Sequence, residues 1–437
     1  MSQFQLLRTR RFAPFFCTQA LGAFNDNAFR NALVMLVAFH MGLGEHSVAL
    51  YTNLAPALFI VPFFLFSASA GQLAEKFEKS RIIRYVKLFE IVAMALALWG
   101  LYTHAVGLLL VVLFLMGVHS TTFGPIKYAI LPQALQPAEL IGGNALVETG
   151  TQLAMLSGLI VGSALIEVGQ IGTLLAGSVF VAVAAAGYLA SRSIPLAPPT
   201  APDLKFNWNP FTETARVIAL SRRDPAIFNT VLGISWYWFY ATVLIAQLPI
   251  YTRWNLGGDG SVAILVLTLF SVGTGIGALL CERLSARRVE IGLVPVGALG
   301  LVLFGIDLYF ARPGVALRQG MDWLAFAHSP GSVRIALDLT MIGAFAGIYV
   351  VPLFAFIQQR TPPGHLSRVI GANNILNALL ICLAAGFGLG LGAMGFGAPQ
   401  IFLAAALLGV LFVGYVFLRV PAFVQRFVAW TRGRAPD

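Results

Sequence analysis

Asp26, Arg30, Lys127 and Glu148 are charged side chains set inside long apolar runs, and Asn25, Asn27, Asn144, Asn373, Asn374 and Asn377 place amides in similar surroundings. A charge in hydrocarbon costs at least roughly 2.5–3.5 kcal/mol on insertion scales, so each needs a partner or a polar cavity. Asp26 and Arg30 are four residues apart, on one helical face, where they can pair directly. That pair is either self-neutralising or a site that exchanges its partner for ligand charges; the flanking Asn25 and Asn27 favour the second reading. Lys127 and Glu148 lie on the two sides of a turn near 132–140 and are expected at similar depth. They either tether neighbouring helices or offer an ammonium to a phosphate, while Glu148 or Asp26 receives a ligand ammonium. Covalent catalysis is not encoded: none of the six His residues has an Asp five positions on, and no GxSxG elbow or HExxH occurs. Cys17, Cys281 and Cys382 are widely separated and read as small core residues, with no disulfide framework or metal site. No catalytic residue, metal or cofactor is expected.

The elements that must position these groups are membrane helices. Of 437 residues 58% are hydrophobic and 11% charged, whereas a soluble domain has roughly 45–50% and about 25%. Lys and Arg outnumber Asp and Glu by 28 to 18, a net charge of +10, yet they punctuate apolar stretches instead of forming one basic face, which excludes a nucleic-acid binder. About 20 apolar residues span a bilayer as a helix. Such windows occur at 13–40, 48–74, 85–103, 105–131, 141–166 and 170–191, then at 226–252, 260–281, 290–311, 333–358, 367–393 and 397–419. The runs are continuous and too long for a β-barrel. The first is too long and too polar for a signal peptide and is expected to stay as helix one. With the N-terminus inside, the 28 basic residues divide as 22 cytoplasmic, 4 outside and 2 within the membrane (Arg30 and Lys127), so both termini are expected in the cytoplasm. Residues 1–192 and 226–437 form two six-helix halves, joined by a Pro-rich cytoplasmic linker at 193–225. A non-spanning insertion at about 313–332, with Trp323, reads as an interfacial segment on the outer side.

The halves repeat each other. Ile141-Gly-Gly-Asn-Ala-Leu-Val-Glu148 opens helix five and Ile370-Gly-Ala-Asn-Asn-Ile-Leu-Asn377 opens helix eleven; Leu73-Ala-Glu-Lys76 has a counterpart in Leu280-Cys-Glu-Arg283. Gly71-Gln-Leu-Ala-Glu-Lys-Phe-Glu-Lys79 resembles the loop signature of the major facilitator superfamily, with Glu75 in place of Asp and Glu78 in place of the second Gly. Phe24-Asn-Asp-Asn-Ala28, Gly124-Pro-Ile-Lys-Tyr-Ala-Ile-Leu131, Gly143-Asn-Ala-Leu-Val-Glu148, Tyr349-Val-Val-Pro-Leu353 and Gln358-Gln-Arg360 resemble the lysophospholipid transporter family, especially the transporter part of fused transporter-acyltransferase-synthetase proteins.

The resemblance implies an all-α integral membrane protein of twelve helices in two pseudo-symmetric six-helix bundles. It also implies inward movement of lysophospholipids, such as lysophosphatidylethanolamine, across a bacterial inner membrane for reacylation by an acyltransferase, either a separate polypeptide or a further part of the native gene product. A gate is implied at Gly71, Glu75 and Lys76, with Glu282 and Arg283 in the repeat. Helix seven carries Trp236-Tyr-Trp-Phe-Tyr240 and no ionised residue, although stand-alone family members have an Arg there. A polar first half facing an aromatic second half suits an amphiphile, with Trp238, Asn373 and Asn377 contributed by the second half. The alternative is a proton-coupled facilitator of a small metabolite or drug, since fold alone does not fix the substrate. Asp338, four residues after Arg334, is expected to neutralise it, and Gly386, Gly388, Gly390, Gly392 and Gly395 are expected to permit close helix packing.

Overall fold

The computed structural model describes residues 3–311 and 320–433. Twelve long helices follow one another: α1 (Ala13–Met35), α2 (Glu45–Lys76), α3 (Lys79–Tyr102), α4 (Val106–Ala129), α5 (Leu140–Ile166), α6 (Gly172–Arg192), α7 (Pro225–Asn255), α8 (Gly260–Leu284), α9 (Leu293–Phe310), α10 (Ser332–Arg360), α11 (Leu366–Ala393) and α12 (Ala398–Arg419). Each corresponds to one apolar window of the sequence. Ten of them are long and apolar enough to cross a membrane by length and composition. The two that are not, α1 and α3, carry Asn25, Asp26 and Arg30 and Lys87 and Glu90. Polarity concentrated in two helices is what a charged site inside a bundle requires.

Local chemistry explains several helix starts. Glu78 caps α3 by accepting from the N–H groups of Ser80 (2.9 Å) and Arg81 (2.7 Å). Its burial alone would raise its pKa, but these N–H donors and that of Ala197 hold the carboxyl below the usual range. Asp224 caps α7, with Pro225 at the first helical position, and Asp259 caps α8. Pro56, Pro62, Pro125, Pro249 and Pro352 lie inside long helices, which membrane helices tolerate because neighbouring groups can re-satisfy freed carbonyls.

Two compact units emerge. One comprises Met1–Gln136, Leu153–Ser221 and Thr361–Ile375; the other comprises Pro137–Gln152, Arg222–Arg360 and Leu376–Asp437. The opening of α5 thus groups with the second unit and the opening of α11 with the first. In the first unit α1 packs on α6, α2 on α4, and α3 on both α4 and α6. In the second, α7 packs on α12, α8 on α10, and α9 on both α10 and α12. Every pairing recurs with six added to the helix number, the structural form of the internal repeat. Within the first unit, Phe29, Leu33, Met94, Met116 and Phe180 belong to one fully buried apolar cluster.

Three expectations are corrected here. Most of the glycines late in α11 do not mediate close packing: a Cβ added at Gly386, Gly390 or Gly392, or at Gly395 just beyond the helix, would meet nothing within 4 Å, and one at Gly388 would meet the Gln247 amide at 3.2 Å. Close approach occurs instead between α8 and α10, where a Cβ at Gly277 would run into the backbone of Ala344 and one at Gly347 into Ala278 and Thr274. Among the cysteines only Cys281 is buried; Cys17 and Cys382 are exposed. Arg334 is paired by Asp307 of α9, with Nε 3.0 Å from Oδ2, and not by Asp338. In the insertion between α9 and α10, Asp322 caps a short helix at Trp323–Ala327 that exposes Trp323 and Leu324 and buries Phe326. Residues 312–319 of that insertion lie outside the described residues.

Candidate functional site

The first unit holds a buried charged cluster assembled from four helices. Asn25 of α1 donates to Glu90 Oε1 of α3 (3.0 Å) and to the Phe180 carbonyl of α6 (3.0 Å). Lys87 donates to Glu90 Oε2 at 2.6 Å, and His119 Nε2 of α4 lies 3.2 Å from the same oxygen. His119 Nδ1 is 3.8 Å from Asp26 Oδ1, and the Ser120 hydroxyl donates to Asp26 Oδ2. Glu90 and Lys87 are 0% and 1% exposed at their side chains and His119 is 2%, whereas Asp26 keeps 15%. The cluster therefore has a sealed interior and one more open edge, formed by Asp26 and the half-buried Arg30. Glycine shapes it: a Cβ at Gly22 would stand 2.6 Å from Lys87 Nζ, so only the absent side chain leaves room for the ammonium.

Asp26 and Arg30 share a helical face, but they do not make the direct pair that spacing allows. Arg30 donates to Asn27 Oδ1 at 2.6 Å and lies 6.0 Å over the ring of Phe59. Asp26 turns to Ser120 and His119 because those partners on α4 are already held in place by helix packing. A guanidinium bonded to a neutral amide keeps its charge uncompensated by direct contact, which suits it to a phosphate. Lys127, half-buried near the end of α4, holds its ammonium 5.4 Å above the ring of Tyr128.

In the second unit the Glu148 carboxylate accepts from Gln152 Nε2 (2.9 Å), which also contacts the Tyr237 hydroxyl (3.3 Å). Asn144 and Gln358 form a reciprocal amide pair, at 2.6 and 3.1 Å, and Arg360 binds Asp224 at 2.6 Å. The sequence motifs around Asn144 and around Gln358 thus meet each other. Asn377 Oδ1 accepts from the Ser235 hydroxyl at 2.8 Å. Asn373 is fully buried in the first unit, with no hydrogen bond to its amide among the described residues, and a Cβ at Gly124 would stand 2.6 Å from Asn374 Nδ2. The aromatic run of α7 is mostly packing: Trp236 stacks between Phe239 and Phe412, Tyr237 and Tyr240 are buried, and only Trp238 stays half-buried.

The last turns of α2 are tied to α11 and to the linker. Glu75, fully buried, accepts from Arg368 Nε (2.8 Å) and from the Arg368 backbone N–H (3.2 Å). Gly71 permits the approach, since a Cβ there would lie 2.9 Å from the Ser367 carbonyl oxygen. Lys76 donates to the Leu204 carbonyl (2.8 Å), and Gln72 exchanges two hydrogen bonds with Asn207. In the repeat, Glu282 lies 3.6 Å from Arg287 of its own loop, and Arg283 is exposed.

Sequence reasoning missed Lys87, Glu90, His119 and Ser120. Lys87 counts as a cytoplasmic loop residue in the sequence reading, but α3 starts at Lys79 and buries Lys87 inside the bundle. The available signal was the i,i+3 spacing of Lys87 and Glu90 in a helix that also carries an apolar face.

The Major Facilitator Superfamily profile matches residues 15–385. Curated relatives include the lysophospholipid transporter LplT of Enterobacter sp. (strain 638), 24% identical and covering 82% of this chain and 81% of that one. The protein of the same name from Serratia proteamaculans (strain 568) is 25% identical, covering 85% and 84%. Among solved structures, the superfamily transporter FucP in the outward conformation matches with a TM-score of 0.68 at 16% identity, over 94% of this chain and 99% of that one. The human organic anion transporter MFSD10 matches with the same TM-score, identity and coverage. A matched profile across most of the chain, the repeated six-helix pattern and a charged cluster inside a bundle agree: the chain belongs to the major facilitator superfamily and is a multi-pass membrane transporter, not an enzyme, similar to the lysophospholipid transporters.

Proposed function

We propose that this chain moves lysophospholipids inward across a bacterial inner membrane by alternating access, with both ends of this chain in the cytoplasm, and that the product is consumed by an acyltransferase. The observation that carries the reading is the open edge of the first-unit cluster. There Arg30, which among the described residues is hydrogen-bonded to neutral Asn27, and the acidic Asp26 present opposite charges within one helical turn. A phosphate on Arg30 or Lys127 and an ethanolamine ammonium on Asp26, all within the first unit, complement a zwitterionic head group, and the single acyl chain stays in apolar surroundings. The names of the curated relatives support the same substrate class. Glu75 with Arg368 serves as a cytoplasmic gate, so that it biases conformation without binding the lipid.

Uptake of labelled lysophosphatidylethanolamine into proteoliposomes tests the proposal. Transport should be lost in Arg30→Ala and should not extend to a diacyl lipid, whose second chain overfills the cleft. Efficient transport of a small sugar with none of lysolipid would overturn the assignment in favour of a metabolite facilitator. Impermeant thiol reagents should reach Trp323→Cys from outside and Trp208→Cys only from the cytoplasmic side.

A further inference from the structure

We infer that the helix after α12, Ala422–Thr431, forms with the α8–α9 loop a basic docking surface for the head groups of anionic phospholipids; that these belong to the cytoplasmic leaflet rests on the topology proposed above. One side of the helix is occupied by the protein. Phe423 is fully buried, and its ring lies 6.1 Å from those of Phe356 and Phe417. Arg426 donates to both carboxylate oxygens of the buried Glu290, with Nε 3.2 Å from Oε1. The Trp430 indole N–H donates to the Leu284 carbonyl at 3.0 Å, and a Cβ at Gly292 would stand 2.9 Å from the Arg426 backbone. Phe423, Arg426 and Trp430 are spaced i, i+3 and i+7, so a single face of the helix lies along the loop from Leu284 to Gly292.

The other side is open. Val424 and Val428, four residues apart, are exposed, and so are Gln425 and Arg432. Their depth follows from α12, on which Leu407, Leu411, Tyr415 and Leu418 are exposed along one face, the stripe that a membrane helix turns to lipid tails. At the end of that stripe Arg419 lies 5.7 Å over the Tyr415 ring, an aromatic and a cation of the kind that mark head-group level. The next helix begins three residues later, and a short helix with an apolar stripe and cations at that depth lies in the interface. Charge then selects the lipid. No Asp or Glu occurs from 398 to 433, and Arg283, Arg287, Arg288, Arg419 and Arg432 are exposed. The two carboxylates of the loop region, Glu282 and Glu290, are buried and engaged by Arg287 and Arg426. Such a patch favours a lipid of net negative charge over a zwitterion. Two valines are too little apolar area for a protein interface, whereas a bilayer supplies hydrocarbon continuous with the α12 stripe.

Native mass spectrometry of the purified full-length protein, loaded from detergent with equimolar phosphatidylglycerol and phosphatidylcholine, reads the preference directly. The wild type should retain phosphatidylglycerol over phosphatidylcholine by about tenfold or more, and Arg419→Gln and Arg432→Gln should each lower that ratio about fivefold. Lys205→Gln, which removes an exposed cation of the linker, should leave the ratio unchanged. In vesicles of seven parts phosphatidylcholine to three of phosphatidylglycerol, a spin label at Val428→Cys, with Cys17, Cys281 and Cys382 replaced, should collide more with oxygen than with a water-soluble nickel chelate. A wild-type ratio near one, equal losses in Lys205→Gln and Arg432→Gln, or a Val428 label open to the chelate overturns the inference. Labelling of Arg432→Cys by an impermeant reagent from outside overturns the leaflet assignment together with the topology proposed above, a failure that the lipid ratio does not share.

Discussion

Replacing Glu75 by Gln removes the charge that anchors Arg368 while keeping the shape of the side chain. Glu75 is 0% exposed at its side chain and Arg368 18%, and two hydrogen bonds join them. An exposed ion pair is worth about 0–1 kcal/mol, and breaking a buried one costs about 3–5 kcal/mol. One sealed end and one partly wet end place this loss near 2 kcal/mol, about a 30-fold change in an equilibrium constant. A latched state populated 99:1 would fall to about 3:1, a change that pulsed spin-label distance measurements resolve. Labels at Phe77→Cys and Pro363→Cys, both exposed, bracket the contact, after Cys17 and Cys382 are replaced because they too are exposed and Cys281 as a precaution. The expected result is a second, longer distance in Glu75→Gln with lysolipid affinity of the open form unchanged. An identical distance distribution in the two proteins would refute the gating role.

Three further outcomes are expected. Asp26→Asn should impair transport of lysophosphatidylethanolamine more than of lysophosphatidylglycerol, because only the former has an ammonium to pair, whereas Arg30→Ala should impair both; equal loss in Asp26→Asn would remove that residue from the head-group site. Gly277→Val should lower the melting temperature in detergent and reduce yield, since its side chain meets the Ala344 backbone, while Gly390→Val, facing open space, should be neutral. Glu78 has a folded pKa below its ordinary value, so its contribution is full above about pH 4.3 and is lost as pH falls through the folded value. Glu78→Gln should therefore cost about 1 kcal/mol at pH 7 and show a shallower acid loss of stability than the wild type; matching acid profiles would count against the cap.

Twelve spans, the repeat and the loop charge bias are legible in the sequence because a bilayer offers the backbone no hydrogen-bond partners. Each crossing must be an apolar helix of set length, and that constraint is written locally. The same locality explains the near-agreement of every window with a helix, and the one boundary error that mattered. Hydropathy starts helix three at 85, but the chain can begin α3 at Lys79 because the Glu78 cap and the linker carbonyl of Ala197, which accepts from the Lys79 N–H at 3.0 Å, satisfy its first turn. That shift moves Lys87 from the loop into the bundle. Which charges meet is not a local property. Asp26 and Ser120 are 94 positions apart, Asn25 and Glu90 are 65 apart, and Glu75 and Arg368 are 293 apart. The sequence placed Asp26 and Arg30 where they could pair, and tertiary packing sent one to His119 and Ser120 and the other to Asn27. A buried charge takes whichever partner the packed helices hold at hydrogen-bond distance, and only the assembled bundle determines that partner.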